Sequence, residues 1–361
     1  MKIRPNSIAA VGYDRNLPAD DPRSLIDIEI PRPDVRPHDL LVEIHAVSVN
    51  PVDVKQRSGS DPHGTMRILG FDAAGIVREV GKAVTLFVPG DEVYYAGAID
   101  RPGTNAALHA VDERVVGHKP QTISFAEAAA LPLTTITAWE ALFDKLQLHA
   151  ESTGILLVMG ASGGVGSMVV QLARALARQV RVIGSVTGAE AEQWVRHLGA
   201  HDVIDYHGDI RRQVADLAPQ GVHSIFTVSS RDELGLYASL LRPFGQIVGI
   251  GDPQTLDLPV LKNKSLSWHW EFMFARSLYP DDDLVTQHQL LDRAADLVDS
   301  GQIRSTLVEA LSPINAARLR RAHQRVEAGG MLGKIVVSDE PFSPRVEGIH
   351  GDPAMKLVPS R

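Results

Sequence analysis

The segment GILLVMGASGGVGSMVVQLAR, residues 154–174, constrains this chain more than any other part of it. Residues 155–159 are a continuous apolar run, the pattern of a strand covered on both faces. Val165, Met168, Val169, Leu172 and Leu176 then recur at helical spacing. Between strand and helix lies a turn carrying Gly160, Gly163, Gly164 and Gly166. In strict G-x-G-x-x-G register Ala161 takes the first position, followed by Gly163 and Gly166. Glycines let a backbone approach a pyrophosphate closely, and a helix start adds bare N–H donors and the positive end of its dipole. The whole turn, Gly160, Ala161, Ser162, Gly163, Gly164, Val165 and Gly166, is thus the expected dinucleotide cradle.

Beyond Leu176 the chain repeats the alternation. VRVIGSV reads as a strand, AEAEQWVRHLGA as a helix ending at Gly199, and HDVIDY as a strand. RRQVADLAPQ, HSIFTVSS, ELGLYASLLRP and QIVGIGD continue it. Such β-α units imply an α/β doubly wound parallel sheet. The first third differs. DLLVEIHAVSVN, GFDAAGIVREVG and LFVPGDEVYYAG are short strand-like runs closed by Gly or Pro-Gly, as in a small β-barrel. FAEAAALPLTTITAWEALFD is helical around a proline break, with Ser124 and Glu127 spaced as a capping box. The expected organisation is a barrel domain over 1–130 completed by about 305–340, a cofactor domain over 131–304, and a Pro-rich, aperiodic tail over 341–361 that reads as mobile.

Composition narrows the function. Lys and Arg number 36 against 44 Asp and Glu, a net charge of −8, and no basic run offsets it, so no nucleic-acid partner is expected. No apolar run reaches the ~18 residues of a membrane span, and MKIRPNSIAAVGYDRN does not read as a signal peptide. A cytoplasmic protein without a membrane partner is expected. Cysteine is absent, which removes disulfides, thiolate nucleophiles, iron–sulfur clusters and any Cys-bearing zinc site.

A dinucleotide site commonly has an acid about 20 residues past its glycines, bound to the adenine ribose. Here the next strand ends in Gly184, Ser185, Val186 and Thr187. An acid would repel a 2′-phosphate, so its absence favours NADPH, with the hydroxyls of Ser185 and Thr187 as donors to that phosphate. Either residue would serve equally as a helix cap.

Together these segments resemble the medium-chain dehydrogenase/reductase superfamily over nearly the whole chain short of the tail. GFDAAGIVREVGKAVTLFVPGDEVYYAG is similar to its GroES-like barrel signature. SVNPVDVKQRSG, and AEAAALPLTTITAWEAL leading to GASGGVGSMVVQLA, resemble its zinc-free quinone oxidoreductase branch, and within that the zinc-type alcohol dehydrogenase-like group. The resemblance implies a GroES-like barrel joined to a Rossmann domain, substrate in the cleft between them, and homodimers or homotetramers. It also implies that zinc-dependent members hold their metal through Cys, His and Cys. The matching positions here are Asn50, the Gly70-Phe71-Asp72 stretch and Thr134 or Thr135. A catalytic zinc would need Asp53, Asp72 and an unplaced His, so no metal is expected there.

Without a metal to stabilise an alkoxide, reduction of a quinone or enone by NADPH is the easier chemistry. Lys55 stands where quinone-reductase relatives often carry Tyr, and is the candidate oxyanion donor or else a plain exposed lysine. Asn50 is a candidate polar contact or a turn-former before Pro51. Asp53 and Arg57, four apart, are expected to pair locally. Tyr94 and Tyr95 follow the GDEV turn, where relatives line the cleft, and Tyr94 is the candidate. Thr135 falls where the family positions the nicotinamide and Tyr206 where it meets the adenosine phosphate. Ser229 and Gly249 sit at later strand ends, the edge where ligands bind. Trp268, Trp270, Phe272, Met273 and Phe274 form the densest aromatic stretch, either an acceptor wall or an interface or core. His269 reads as structural. Two other functions share these features: an alcohol or aldehyde dehydrogenase with a non-Cys metal site, and a non-catalytic NADP-binding sensor.

Overall fold

The computed structural model describes residues 6–59, 61–229 and 233–339. The 341–361 tail lies outside the described residues. In chain order the barrel part contains β1 (Ser7–Tyr13), β2 (Ile26–Pro31), β3 (Asp39–Ser48), α1 (Pro51–Gly59), β4 (Arg67–Ile68), β5 (Asp72–Val80), β6 (Glu92–Ala96), β7 (Leu108–Asp112) and β8 (Val116–His118). Then come α2 (Phe125–Ala129) and α3 (Pro132–Trp139), with a π-helical turn at Glu140–Lys145. The cofactor part has β9 (Gly154–Met159), α4 (Gly164–Leu176), β10 (Val180–Val186), α5 (Ala189–His197), β11 (Asp202–Asp205), α6 (Ile210–Leu217), β12 (Val222–Thr227), α7 (Leu234–Leu240), β13 (Leu241–Gly249) and β14 (Ser267–Trp270). The chain closes with α8 (Ala275–Leu278), α9 (Thr286–Asp299), β15 (Leu307–Leu311), α10 (Ala316–Glu327) and β16 (Lys334–Ser338).

The cofactor sheet is parallel and runs β11-β10-β9-β12-β13-β14. Strand order therefore reverses beside β9, and the glycine turn leaves the carboxyl end of that strand. This is the switch point where open α/β sheets hold ligands. Both faces are covered, which is why β9 reads as unbroken apolar sequence. On one face Leu157 lies in register with Ile183 and Ile225, and Ile225 with Ile247. On the other, Val182 pairs with Leu156 and Phe226 with Val158 and Val248, beneath Met168, Val169 and Leu172 of α4. Gly166 permits that helix to sit so close: a Cβ there would stand 2.2 Å from the Gly160 carbonyl oxygen.

The barrel sheet runs β15-β16-β3-β5-β6-β8, with β7 also on β3. Val336 of β16 pairs with Ser48 of β3, so the chain's return joins the strand that leads into the cleft. Ser124 caps α2 with the expected box: its Oγ accepts from Glu127 N at 3.3 Å and its N–H donates to Glu127 Oε2 at 2.8 Å. Gly333 N donates to Ser162 O at 2.9 Å, tying the barrel's closing strand to the glycine turn.

Candidate active site

A cleft of about 450 Å³ runs between the two parts. The glycine turn forms one wall, where Gly160, Ser162, Gly163, Gly164, Val165 and Gly166 line it. Gly160 adopts a φ of +74°, which suits glycine. Gly163 is the N-cap of α4 and supplies no side chain, so the first N–H groups of the helix keep no protein cap. This is an anion cradle by geometry and by dipole. Ala161 is the exception in the turn. It is buried, its N–H donates to Ser185 O at 3.1 Å, and it supports the loop from beneath.

The floor is polar and ionic. Asp72 is wholly buried, and its carboxylate accepts from Ser48 Oγ at 3.1 Å, Asn50 Nδ2 at 2.8 Å and Leu133 N at 2.7 Å. The Leu133 contact puts negative charge at the start of α3, where the helix dipole favours it. Lys334 Nζ lies 3.3 Å from Asp72 Oδ2, 3.2 Å from Val49 O, and donates to Asn50 Oδ1. All three ammonium hydrogens have acceptors. Asn50 is thereby oriented without ambiguity, its amide group toward Asp72 and its carbonyl toward Lys334. It locks the floor. Desolvation lowers the Lys334 pKa, and Asp72 and Asp53 oppose that shift. Asp53 accepts from Asn50 N and Gly70 N, and burial pushes its carboxyl up to about 7.

Other expected residues are placed differently. Asp53 and Arg57 do not pair; Arg57 turns away, pairing with Glu327 of α10 and donating to Leu17 O and His323 Nδ1. Tyr94 does not face the cleft: it is fully buried and its hydroxyl donates to Leu291 O at 2.6 Å. Tyr95 is also buried, against His109 at 3.0 Å. Thr135 points into the core with its hydroxyl unpartnered, while Thr134 and Thr137 line the cleft. Gly249 is a packing glycine, since a Cβ there would stand 2.6 Å from the Trp268 ring; its neighbour Ile250 lines the cleft. Ser185 closes β10 with its hydroxyl buried and unpartnered, and Thr187 is the residue exposed at that strand end. Tyr206 and Ser229 stand at the same sheet edge outside the cleft lining. Tyr206 donates to Glu233 Oε1 at 2.7 Å and Ser229 O accepts from Tyr237 at 3.1 Å. Lys55 lines the mouth of the cleft and pairs with Asp252 at 2.5 Å.

The aromatic stretch divides. Phe272, Met273 and Phe274 wall the cleft, Phe274 edge-on to Phe71 at 5.0 Å. Trp268 packs beneath Gly249 and Trp270 is half exposed on the edge strand. His269 meets Gln246 at 3.0 Å, a structural contact. Glu271, which sequence reasoning passes over, is buried in the cleft wall with its Oε1 unpartnered. Burial and the neighbouring Glu140 raise its pKa well above the carboxylate range. Glu140, chiefly through burial, is itself raised to about 7, although Arg276 pairs with it. A raised carboxyl binds more protons folded than unfolded, so its stabilising state is complete below the ordinary 4.5 and is lost as pH rises through about 7. The direction is the same for Glu271, so Glu271→Gln is expected to flatten the fall in Tm as pH rises above the ordinary carboxylate range and to raise Tm at neutral pH. Thermal unfolding against pH checks this; parallel curves for both proteins would exclude it.

Lys334 also escapes the sequence reading. Its signal is a lone lysine opening the apolar run GKIVVS, and its partners lie some 284 residues away in the chain. At the cleft floor the donor chemistry does not suit zinc. Asn50 is spent on its neighbours, Phe71 has no donor atom, and Lys334 puts a cation where the metal's charge would be.

Two families match by sequence: the alcohol dehydrogenase GroES-like domain over residues 36–139 and the zinc-binding dehydrogenase over 198–337. The chain is 34% identical over 334 residues to a zinc-type alcohol dehydrogenase-like protein of Staphylococcus aureus, covering 91% of this chain and 99% of that one. It is 32% identical over 334 residues to a mitochondrial NAD(P)H oxidoreductase of Homo sapiens, covering 84% and 82%. Among solved structures it is similar to a protein of Rhizobium etli assigned as a zinc-dependent alcohol dehydrogenase, with TM-score 0.89, 46% identity, and 93% and 99% of the two chains covered. A quinone oxidoreductase of Escherichia coli in complex with NADPH shares the fold at TM-score 0.75 and 23% identity, over 91% and 99%.

Proposed function

We propose, from the premise that this chain belongs to the medium-chain dehydrogenase/reductase superfamily, that it is an NADPH-dependent oxidoreductase delivering hydride to a quinone or an enone without a catalytic metal. The observation that carries this reading is the cleft floor, where a buried Lys334–Asn50–Asp72 network stands in place of a zinc donor set. The glycine turn and the open start of α4 would hold the pyrophosphate, and Thr187, with Ser185 behind it, the ribose phosphate. NADPH supplies the hydride when bound. The protein's share is placement, exclusion of water and charge. Val49, Leu133, Ile250, Phe272, Met273 and Phe274 give a flat acceptor an apolar slot. Lys334 lends a fixed positive field from beneath. Lys55 is the candidate donor to the developing oxyanion, exchanging Asp252 for the acceptor's oxygen; a proton passed from its ammonium, and replaced from solvent, then completes the two-electron reduction. Asn50 positions the floor. We further place the contact of a homodimer or homotetramer at β14, an edge strand carrying the half-exposed Trp270.

The test is NADPH oxidation with a simple quinone, with and without chelator. Turnover unaffected by chelator, with NADPH preferred over NADH, is expected. Chelator-sensitive alcohol oxidation would replace this reading with the metal-dependent dehydrogenase, and tight cofactor binding without turnover on any acceptor would replace it with a sensor. Among the described residues no helix is long and apolar enough to cross a membrane.

A further inference from the structure

Where β8 meets α9, away from the cleft, three side chains converge that none of the chemistry above uses. His118 ends β8, and His288 and Asp292 lie one turn apart on α9. Asp292 Oδ2 stands 3.1 Å from His118 Nδ1 and 3.5 Å from His288 Nε2. A ligand atom from each of the three lies within 4.8 Å of the other two. Tetrahedral zinc with bonds of about 2.0–2.1 Å sets its donors roughly 3.3–3.5 Å apart, so the two Asp292 spacings already suit one ion.

The supports of the set point the same way. His288 Nδ1 lies 2.7 Å from Val116 O, a carbonyl that can only accept. Nδ1 therefore donates to that carbonyl, and Nε2 is the ring nitrogen left facing Asp292. A ring nitrogen tied to a backbone carbonyl is how proteins orient a metal-binding imidazole. Asp292 is held in turn by His118 N, which donates to Oδ1 at 2.8 Å and leaves Oδ2 between the rings. Phe87 packs on both imidazoles, stacked on His118 at 4.5 Å and edge-on to His288 at 5.5 Å. His118 and Asp292 remain partly exposed, so an ion has a way in and water can complete its shell.

We propose that His118, His288 and Asp292 form a site for a divalent transition cation, zinc in the first place, clamping barrel strand β8 to helix α9. Two imidazoles and a carboxylate with one open position suit zinc, whereas calcium and magnesium require more oxygen donors. The site lies outside the cleft, so the reductase reading neither needs it nor falls with it.

The experiment uses the full chain stripped by chelator and dialysed. Zinc chloride is titrated in by calorimetry, cobalt(II) is followed by its visible absorption, and thermal unfolding is recorded with and without metal. One equivalent of zinc is expected to bind saturably, cobalt to show a tetrahedral spectrum, and Tm to rise. His118→Ala, at a half-exposed position, should weaken binding at least roughly tenfold, a loss upward of 1.4 kcal/mol, and remove the rise in Tm. His288→Ala should do the same. NADPH oxidation by the stripped protein should be unchanged. No saturable binding, or binding that survives His118→Ala, would overturn the proposal and leave the cluster as an ion pair.

Discussion

Gly163→Val is expected to leave a folded protein that has lost its cofactor, and Gly166→Val to lose the fold itself. The two glycines are three residues apart in one turn, and the difference lies in what a Cβ would meet. At Gly163 the nearest atom beyond the chain neighbours is Gly160 O at 3.7 Å, ordinary contact, and the backbone φ of −73° with ψ of 175° accepts valine. The new side chain would project into the cleft, over the N–H groups that the missing cap leaves bare. A phosphate kept from those donors loses charge-assisted hydrogen bonds and the helix dipole together. A loss of about a hundredfold in NADPH affinity, roughly 2.8 kcal/mol, is expected, with Tm nearly unchanged. At Gly166 the same Cβ would stand 2.2 Å from Gly160 O and 2.7 Å from the Ala161 Cα, both backbone atoms that cannot step aside. Helix α4 would have to lift off β9, opening the cluster around Met168 and Val169. Cofactor titration beside thermal unfolding separates the two variants. Normal NADPH binding by Gly163→Val would place the phosphate site elsewhere.

Local signals made the cofactor turn legible, because every requirement of that site falls within about a dozen consecutive residues. The strand before it, the glycines and the helix after it leave direct marks in the sequence. The cleft floor has no such locality. Lys334 and Asn50 meet only after β16 has returned to β3, so neither residue carries a sign of the other. The tyrosines of β6 show a second limit. Alternation assigns Tyr94 and Tyr95 to opposite faces, but both faces of this strand are covered, one by α9 and the other by the barrel core. A strand buried on both sides gives no indication of which face meets a ligand. Thr135 meets a related limit. Residues 132–138 of α3 are all buried, so no polar stripe reveals which threonine turns toward the cleft. Ser185 stands near the end of its strand, as spacing implies, but its burial depends on packing that spacing does not disclose.

A large stability effect short of unfolding is expected at Lys334. Lys334→Met keeps the aliphatic stem that lies over Gly164, where a Cβ would meet Lys334 Cδ at 2.7 Å. What it removes is, among the described residues, the one cation within ion-pair distance of a carboxylate with no solvent exposure. Breaking a buried pair from one side costs about 3–5 kcal/mol, because the surviving charge stays desolvated. Asp72 retains Ser48, Asn50 and the Leu133 amide as donors, so a loss near the lower end, about 3 kcal/mol, is expected. Asp72→Asn should cost less. The lysine it strands keeps Val49 O and Asn50 Oδ1, and its burial-lowered pKa eases release of the proton. The double variant should then be more stable than the sum of the single losses implies, by roughly 0.5–3 kcal/mol, the coupling expected of residues in one network. Denaturant unfolding of the four proteins yields that coupling directly. Additive losses would mean that Lys334 and Asp72 do not act as a pair, and that the field assigned to the cleft floor has another origin. A positive coupling together with a fall in kcat for Lys334→Met, at unchanged NADPH affinity, would tie the same ammonium both to holding β16 against the cleft and to the charge that hydride transfer develops above it.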